Sequence, residues 1–98
     1  AIDVYQQAYN LAPAAKTQIK IARLMILDKQ YTEATKFAQN SAPDAKRDQK
    51  AELSYIRGMA YFELNQPTNA LKAMKSAAQS PDMKAVASPW INFLESQG

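Results

Sequence analysis

The stretch Gly58–Ala77, GMAYFELNQPTNALKAMKSA, decides the fold, because residues of the same kind stand 36 positions earlier in Ala22–Ser41, ARLMILDKQYTEATKFAQNS. Gly58 answers to Ala22, Tyr61 to Met25, Ala70 to Ala34 and Lys72 to Lys36, and just beyond the stretch Ala78 answers to Ala42. A step of this length that returns small and aromatic residues, with no period-two alternation, marks stacked helical hairpins. Their product is a binding surface rather than a reaction.

Working outward, the apolar spacing predicts six helical segments. Residues 1–11 carry Ala1, Val4, Tyr5, Ala8 and Leu11 on one stripe and stop before Pro13. Residues 14–28 place Ile19, Ala22 and Ile26 beside Ile21, Leu24 and Met25, a face wide enough to pack on two sides. A short turn at Lys29 and Gln30 leads into a helix over 31–42, closed by Pro43. Asp44 is expected to cap the next and longest helix, running to about Leu64, with Asp44, Asp48 and Glu52 on one exposed face. Asn65 and Gln66 turn the chain again, Pro67 suits a first helical turn, and 68–79 forms the partner helix. Ser80 and Pro81 start a last helix, with a kink or fresh start expected at Pro89 before Trp90, Ile91, Phe93 and Leu94. Gaps of two to four residues make neighbouring helices antiparallel, so the expected fold is all-α.

Composition removes most chemistries. The 98 residues contain neither Cys nor His, which excludes disulfides, thiolate sites and the commonest acid/base group and metal ligand. There is no glycine-rich phosphate loop and no Ser beside a plausible base, so no catalytic residue, metal or cofactor is expected. No apolar run approaches the roughly 18 residues a bilayer span needs, since Leu24–Leu27 is closed by Asp28 and Lys29. The formal charge of +3 favours approach to acidic partners without specifying one. The lack of Cys leans the compartment toward a bacterial periplasm or envelope rather than the cytoplasm.

Gly58, Tyr61, Ala70, Met74, Ala77 and Pro81 resemble the tetratricopeptide repeat pattern of a small residue, an aromatic, two alanines and a closing proline. Ala22, Met25, Tyr31, Ala34, Ala38 and Ser41 resemble a weaker copy, whose Pro43 falls early for the family. Ala1, Tyr5, Ala8 and Pro13 are similar to the second helix of a preceding repeat, 33 residues before Ala34. The resemblance implies a single domain over 1–98. Its parts are half a repeat (1–13), two repeats (14–43 and 44–81) and a capping helix (82–98), stacked as a right-handed superhelix of antiparallel hairpins. It also implies a fragment that begins in mid-repeat and closes a longer array. The 36-residue step then implies about two extra residues within 44–64. The terminal Trp90, Ile91, Phe93, Leu94 and Glu95 resemble the closing helix of bacterial tetratricopeptide proteins, some of them associated with TonB energy-transduction systems.

In that family the first helix of each repeat lines a concave groove. Carried onto this chain, the groove residues are Lys16, Ile19, Lys20, Arg23 and Ile26, then Glu52, Tyr55, Ile56, Met59, Phe62 and Glu63. Such a wall suits a protein or peptide segment with apolar anchors and some acidic character, and no small-molecule substrate. The competing reading has Tyr55, Ile56, Met59 and Phe62 simply packing against the closing helix. Chaperone-binding members hold a C-terminal carboxylate with Lys, Asn and Arg; here Ile19 stands in place of the Lys and Arg23 in place of the Asn, which disfavours that subfamily.

Two alternatives stay open. Val4, Tyr5 and Ala8 would expose an apolar N-terminal edge and so favour a homodimer. Lys16, Lys20 and Arg23 on one face, with Lys46, Arg47 and Lys50 as a second cluster, would meet phosphate. Interleaved acids and the absence of stacking aromatics beside them disfavour nucleic acid.

Overall fold

A computed structural model describes residues 2–97. Ala1, expected on the first stripe, lies outside the described residues. Six helices and no strand occur among them: α1 (Ile2–Leu11), α2 (Ala15–Leu27), α3 (Tyr31–Phe37), α4 (Arg47–Glu63), α5 (Pro67–Ala77) and α6 (Pro81–Gln97). No helix of the described residues is long and apolar enough to cross a membrane.

The helices pack as two rows. In one row α2 touches α4 and α4 touches α6; in the other α1 packs on α2, α3 bridges α2 and α4, and α5 bridges α4 and α6. Three apolar clusters run along the seam. Ile21, Met25, Ala34 and Ala60 meet Ile2, Tyr5 and Tyr9 of α1. Ile19, Ala22, Ala38, Leu53 and Ile56 fill the space between α2 and α4. Ala70, Met74, Ala77, Ala87 and Leu94 bind α5 to α6. Full burial of a Leu, Ile or Met side chain stabilises by about 1.5–3 kcal/mol, so these seams carry the fold.

The 36-residue echo reappears as hydrogen bonds. At the end of α2 the Lys29 N–H donates to Ile26 O and the Gln30 N–H to Met25 O; at the end of α4 the Asn65 N–H donates to Phe62 O and the Gln66 N–H to Tyr61 O. Both are Schellman turns, and Lys29 (φ 60°) and Asn65 (φ 61°) occupy the left-handed position that such turns require. The small residues echo as an exchange of volume. A Cβ on Gly58 would stand 2.8 Å from Met74 Cε and 3.0 Å from its Cγ and Sδ, so the bare backbone of α4 makes room for that side chain. The equivalent pair in the first hairpin, Ala22 and Ala38, is small on both sides, and both residues are buried in one cluster.

Four expectations are corrected. First, α3 ends at Phe37 rather than 42, because buried Gln18 replaces the helix's own bonding there. Its Nε2 donates to Phe37 O (3.0 Å) and Asn40 O (2.8 Å), and its Oε1 accepts from the Ala42 N–H (2.8 Å). Second, Asp44 does not cap α4: its Oδ1 accepts the Ala15 N–H at 2.7 Å and so caps α2 from a distance in sequence. Helix α4 accordingly begins at Arg47, where Gln49 Oε1 reaches back to the Lys46 N–H. The α3–α4 connection therefore spans residues 38–46, longer than the two to four expected, while α4 at 17 residues is longer than α2 at 13. Third, α6 runs through Pro89 without a fresh start and matches α4 in length, at 17 residues each. The carbonyl that Pro89 leaves without a donor belongs to Ala85, which is exposed and so open to water. Fourth, Asp44, Asp48 and Glu52 do not form one exposed intrahelical face, since Asp44 precedes α4 and binds Ala15 of α2, Glu52 pairs with Arg23 of α2, and Asp48 accepts from Ser80 of the loop after α5.

Candidate functional site

Helix α2 buries Ala15, Ile19, Ala22 and Met25, which turns Lys16, Lys20 and Arg23 outward at spacings of four and three. Gln49 and Glu52 stand on α4 opposite them. Between the two helices lies a cleft of about 480 Å³ lined by Lys16, Ile19, Lys20, Arg23, Leu24, Gln49 and Glu52. Five of the expected groove residues thus share one cavity. Leu24 and Gln49 were missed, although both fall within a helical turn of residues that were named.

The cleft is electropositive. Arg23 pairs with Glu52 across it, joining α2 to α4. Lys16 and Lys20 have no carboxylate partner among the described residues, and the Lys20 ammonium sits 4.5 Å from the centre of the Tyr5 ring, a cation–π contact that holds it beside α1.

The other expected groove residues go elsewhere. Ile56 is interior, in the cluster with Ile19 and Leu53, and Ile26 is half-buried beside it. The Ile56 side chain fills the α2–α4 seam and is not an open anchor, while Ile26 packs only partly against it. Tyr55, Met59 and Phe62 are half-buried and lean on the α5–α6 cluster, which fits the competing expectation of contact with the closing helix. Tyr55 OH accepts the Trp90 Nε1–H at 3.2 Å. Phe62 makes edge-to-face contacts with Trp90 (5.2 Å) and Phe93 (5.8 Å). Glu63 is exposed at the end of α4. Phe62 is nevertheless not sealed: with Pro89, Trp90 and Phe93 it lines a second cleft of about 320 Å³, and Phe93 stays 45% exposed. The sequence had assigned Trp90 and Phe93 to capping alone.

Away from the clefts, the loop after α5 clasps the first turn of α4. Arg47 donates to Gln79 O (2.8 Å), and the buried Ser80 hydroxyl donates to Asp48 Oδ1 (2.8 Å) rather than capping its own helix. Hydrogen bonds from Ser80 and then Asp82 hold the Asp48 carboxyl below its ordinary range, and the adjoining Asp48 raises that of Asp82. The Tyr9 phenol is pushed up by burial and then by the charge of Asp44. Lys46 and Lys50 are exposed, and no group of three or more acidic side chains among the described residues is placed to hold a metal ion.

Comparison with protein-family models, curated proteins and solved structures finds no match to this chain.

Proposed function

We propose that this chain is a non-catalytic interaction module, a tetratricopeptide-like right-handed superhelix that binds a protein segment along the α2–α4–α6 row. The observation that carries the reading is the cleft between α2 and α4, where Lys16 and Lys20, without carboxylate partners among the described residues, line the opening together with the apolar Ile19 and Leu24. Two features support the architecture. Every helix of the α1–α3–α5 row packs on the next helix of the other row, as outer helices of stacked hairpins do, and the two Schellman turns lie 36 residues apart.

The test is selection of binding peptides from a random display library on the 98-residue protein, followed by affinity measurement on two charge-reversed variants. Lys16→Glu/Lys20→Glu should weaken the selected peptides, while Lys36→Glu/Lys72→Glu, on the opposite row, should leave them unchanged. Equal affinities for the two variants, both still helical by circular dichroism, refute the assignment.

A second reading has its own observation. Val4 is 67% exposed and Leu11 88%, so the α1 edge of the stack presents large apolar side chains to water. Self-association through that edge predicts a dimer by sedimentation that Val4→Glu/Leu11→Glu abolishes. A monomer at all concentrations removes it.

A further inference from the structure

We infer that the groove takes an extended segment with an anionic side chain at one end and, about five or six residues away, a bulky apolar side chain. The inference rests on the groove reading above and adds the chemistry and spacing of the occupant. Charge complementarity identifies the first anchor. Three cations and one anion line the α2–α4 cleft, and the pairing of Arg23 with Glu52 leaves Lys16 and Lys20 to receive a carboxylate.

The second anchor is the α4–α6 cleft, whose lining of Phe62, Pro89, Trp90 and Phe93 carries no charge. Its rings are already fixed. Trp90 is held by Tyr55, and Phe62 stands edge-to-face against both Trp90 and Phe93, so an entering aliphatic or aromatic side chain has little ordering to do.

The geometry of α4 sets the spacing. Glu52 borders the first cleft and Phe62 the second, and the ten residues between them advance about 15 Å along the helix at about 1.5 Å each. The clefts lie on opposite flanks of α4, which adds about 8–10 Å sideways, one interhelical distance. The direct path is then about 18 Å, which five or six extended residues cover at about 3.3 Å each.

Trp90 is the single tryptophan of the chain and lines the apolar cleft, so its emission reports on occupancy there. The probes are synthetic peptides with an Asp-Asp pair, a Gly/Ser spacer of about four residues and a terminal Leu-Leu, tested beside a neutral Asn-Asn version and a version with about a quarter of the spacer. The expected result is a Trp90 emission change with the full peptide and about tenfold weaker binding of the other two, since two exposed ion pairs are together worth up to about one decade. Lys16→Glu/Lys20→Glu should lower affinity for the acidic peptide and leave the neutral one unaffected, and Phe93→Ala should weaken both.

Equal binding of the acidic and neutral peptides, or of the long and short spacers, overturns the inference. If such indifferent binding still places backbone amide shifts on α2, α4 and α6, the groove reading stands without it. Shifts confined to α1, α3 and α5, no binding at all, or a Trp90 change that tracks dimer formation by sedimentation overturn both.

Discussion

Replacing Gly58 by Ala adds one methyl group, and its effect on stability can be worked from the two helices it lies between. In a helix interior Ala is favoured over Gly by about 1 kcal/mol, so propensity alone predicts a more stable protein. The methyl would arrive 2.8–3.0 Å from three atoms of Met74, where carbon atoms normally rest about 3.5–4.0 Å apart. Met74 is fully buried, and its Cγ, one bond beyond Cβ, moves only if the side chain leaves its rotamer or α5 shifts. Overpacking of this kind costs about 1–3 kcal/mol, which exceeds the propensity gain when α5 cannot yield. The expected net loss is about 1 kcal/mol, or about 4–8 °C in Tm for a domain of this size. Met74→Ala alone should cost about 2–4 kcal/mol through its cavity. The double variant, which recreates the Ala22–Ala38 pairing of the first hairpin, has no clash and keeps the propensity gain. It should therefore be at least as stable as Met74→Ala and fall short of additivity by about 2 kcal/mol. Urea unfolding followed by Trp90 fluorescence and far-ultraviolet circular dichroism gives the four free energies. Additivity within about 0.5 kcal/mol, or a stabilised Gly58→Ala single variant, refutes the close-packing argument.

Gln18→Leu strips three hydrogen bonds from the α3–α4 connection and should cost about 2–4 kcal/mol, with amide exchange in residues 38–46 accelerated before the rest of the chain; unchanged exchange there contradicts the clamp. Lys29→Gly relieves a left-handed backbone that Lys tolerates poorly and should stabilise by about 0.5–1 kcal/mol, and Asn65→Gly by less because Asn accepts that conformation; a lower Tm for Lys29→Gly is the adverse result. Ser80→Ala should lower Tm at pH 7 by removing the hydroxyl bond to Asp48. The Asp48 carboxyl is held below its ordinary value in the folded state, so that contribution is present above the usual carboxylate range and is lost as pH falls through the depressed pKa. The Tm gap between the two proteins should narrow on acidification, and a gap that widens contradicts the sign.

Much of the fold was legible because the hairpin turns are local. The 36-residue echo anticipates two like connections, and both appear as Schellman turns between helices whose apolar stripes were visible in the spacing. The α3–α4 segment was not legible, since Gln18 and Asp44 act on partners 19 to 29 residues away. A clue was present: Gln18 interrupts the stripe Ala15, Ala22, Met25, and a polar side chain on a buried stripe must find partners. Pro89 misled for a related reason, because its cost depends on whether water reaches the carbonyl it orphans, which spacing does not reveal. At the candidate site the outward cations of α2 were read from helical period alone. The aromatic cleft was not, because Trp90 and Phe93 each divide their surface between packing on Phe62 and exposure.

The two ends of the stack differ in a way that bears on what can dock there. Leu53 and Ala60 of α4 face the preceding hairpin, and Ala87 and Leu94 of α6, also seven apart, do the same. Aligning the two helices on those pairs puts Ala85, Ser88 and Asn92 where α4 offers Ala51, Ser54 and Gly58 to α5. A further helix laid on α6 there would have to bury the Asn92 amide and the Ser88 hydroxyl, which already donates to Lys84 O. Burying the amide without partners costs more than the small side chains return. The α1 edge carries no such penalty, since Val4 and Leu11 gain by being covered. Any association that extends the stack therefore favours α1, while the inner face of α6, with Phe93 beside Trp90, is left to a side chain rather than a helix.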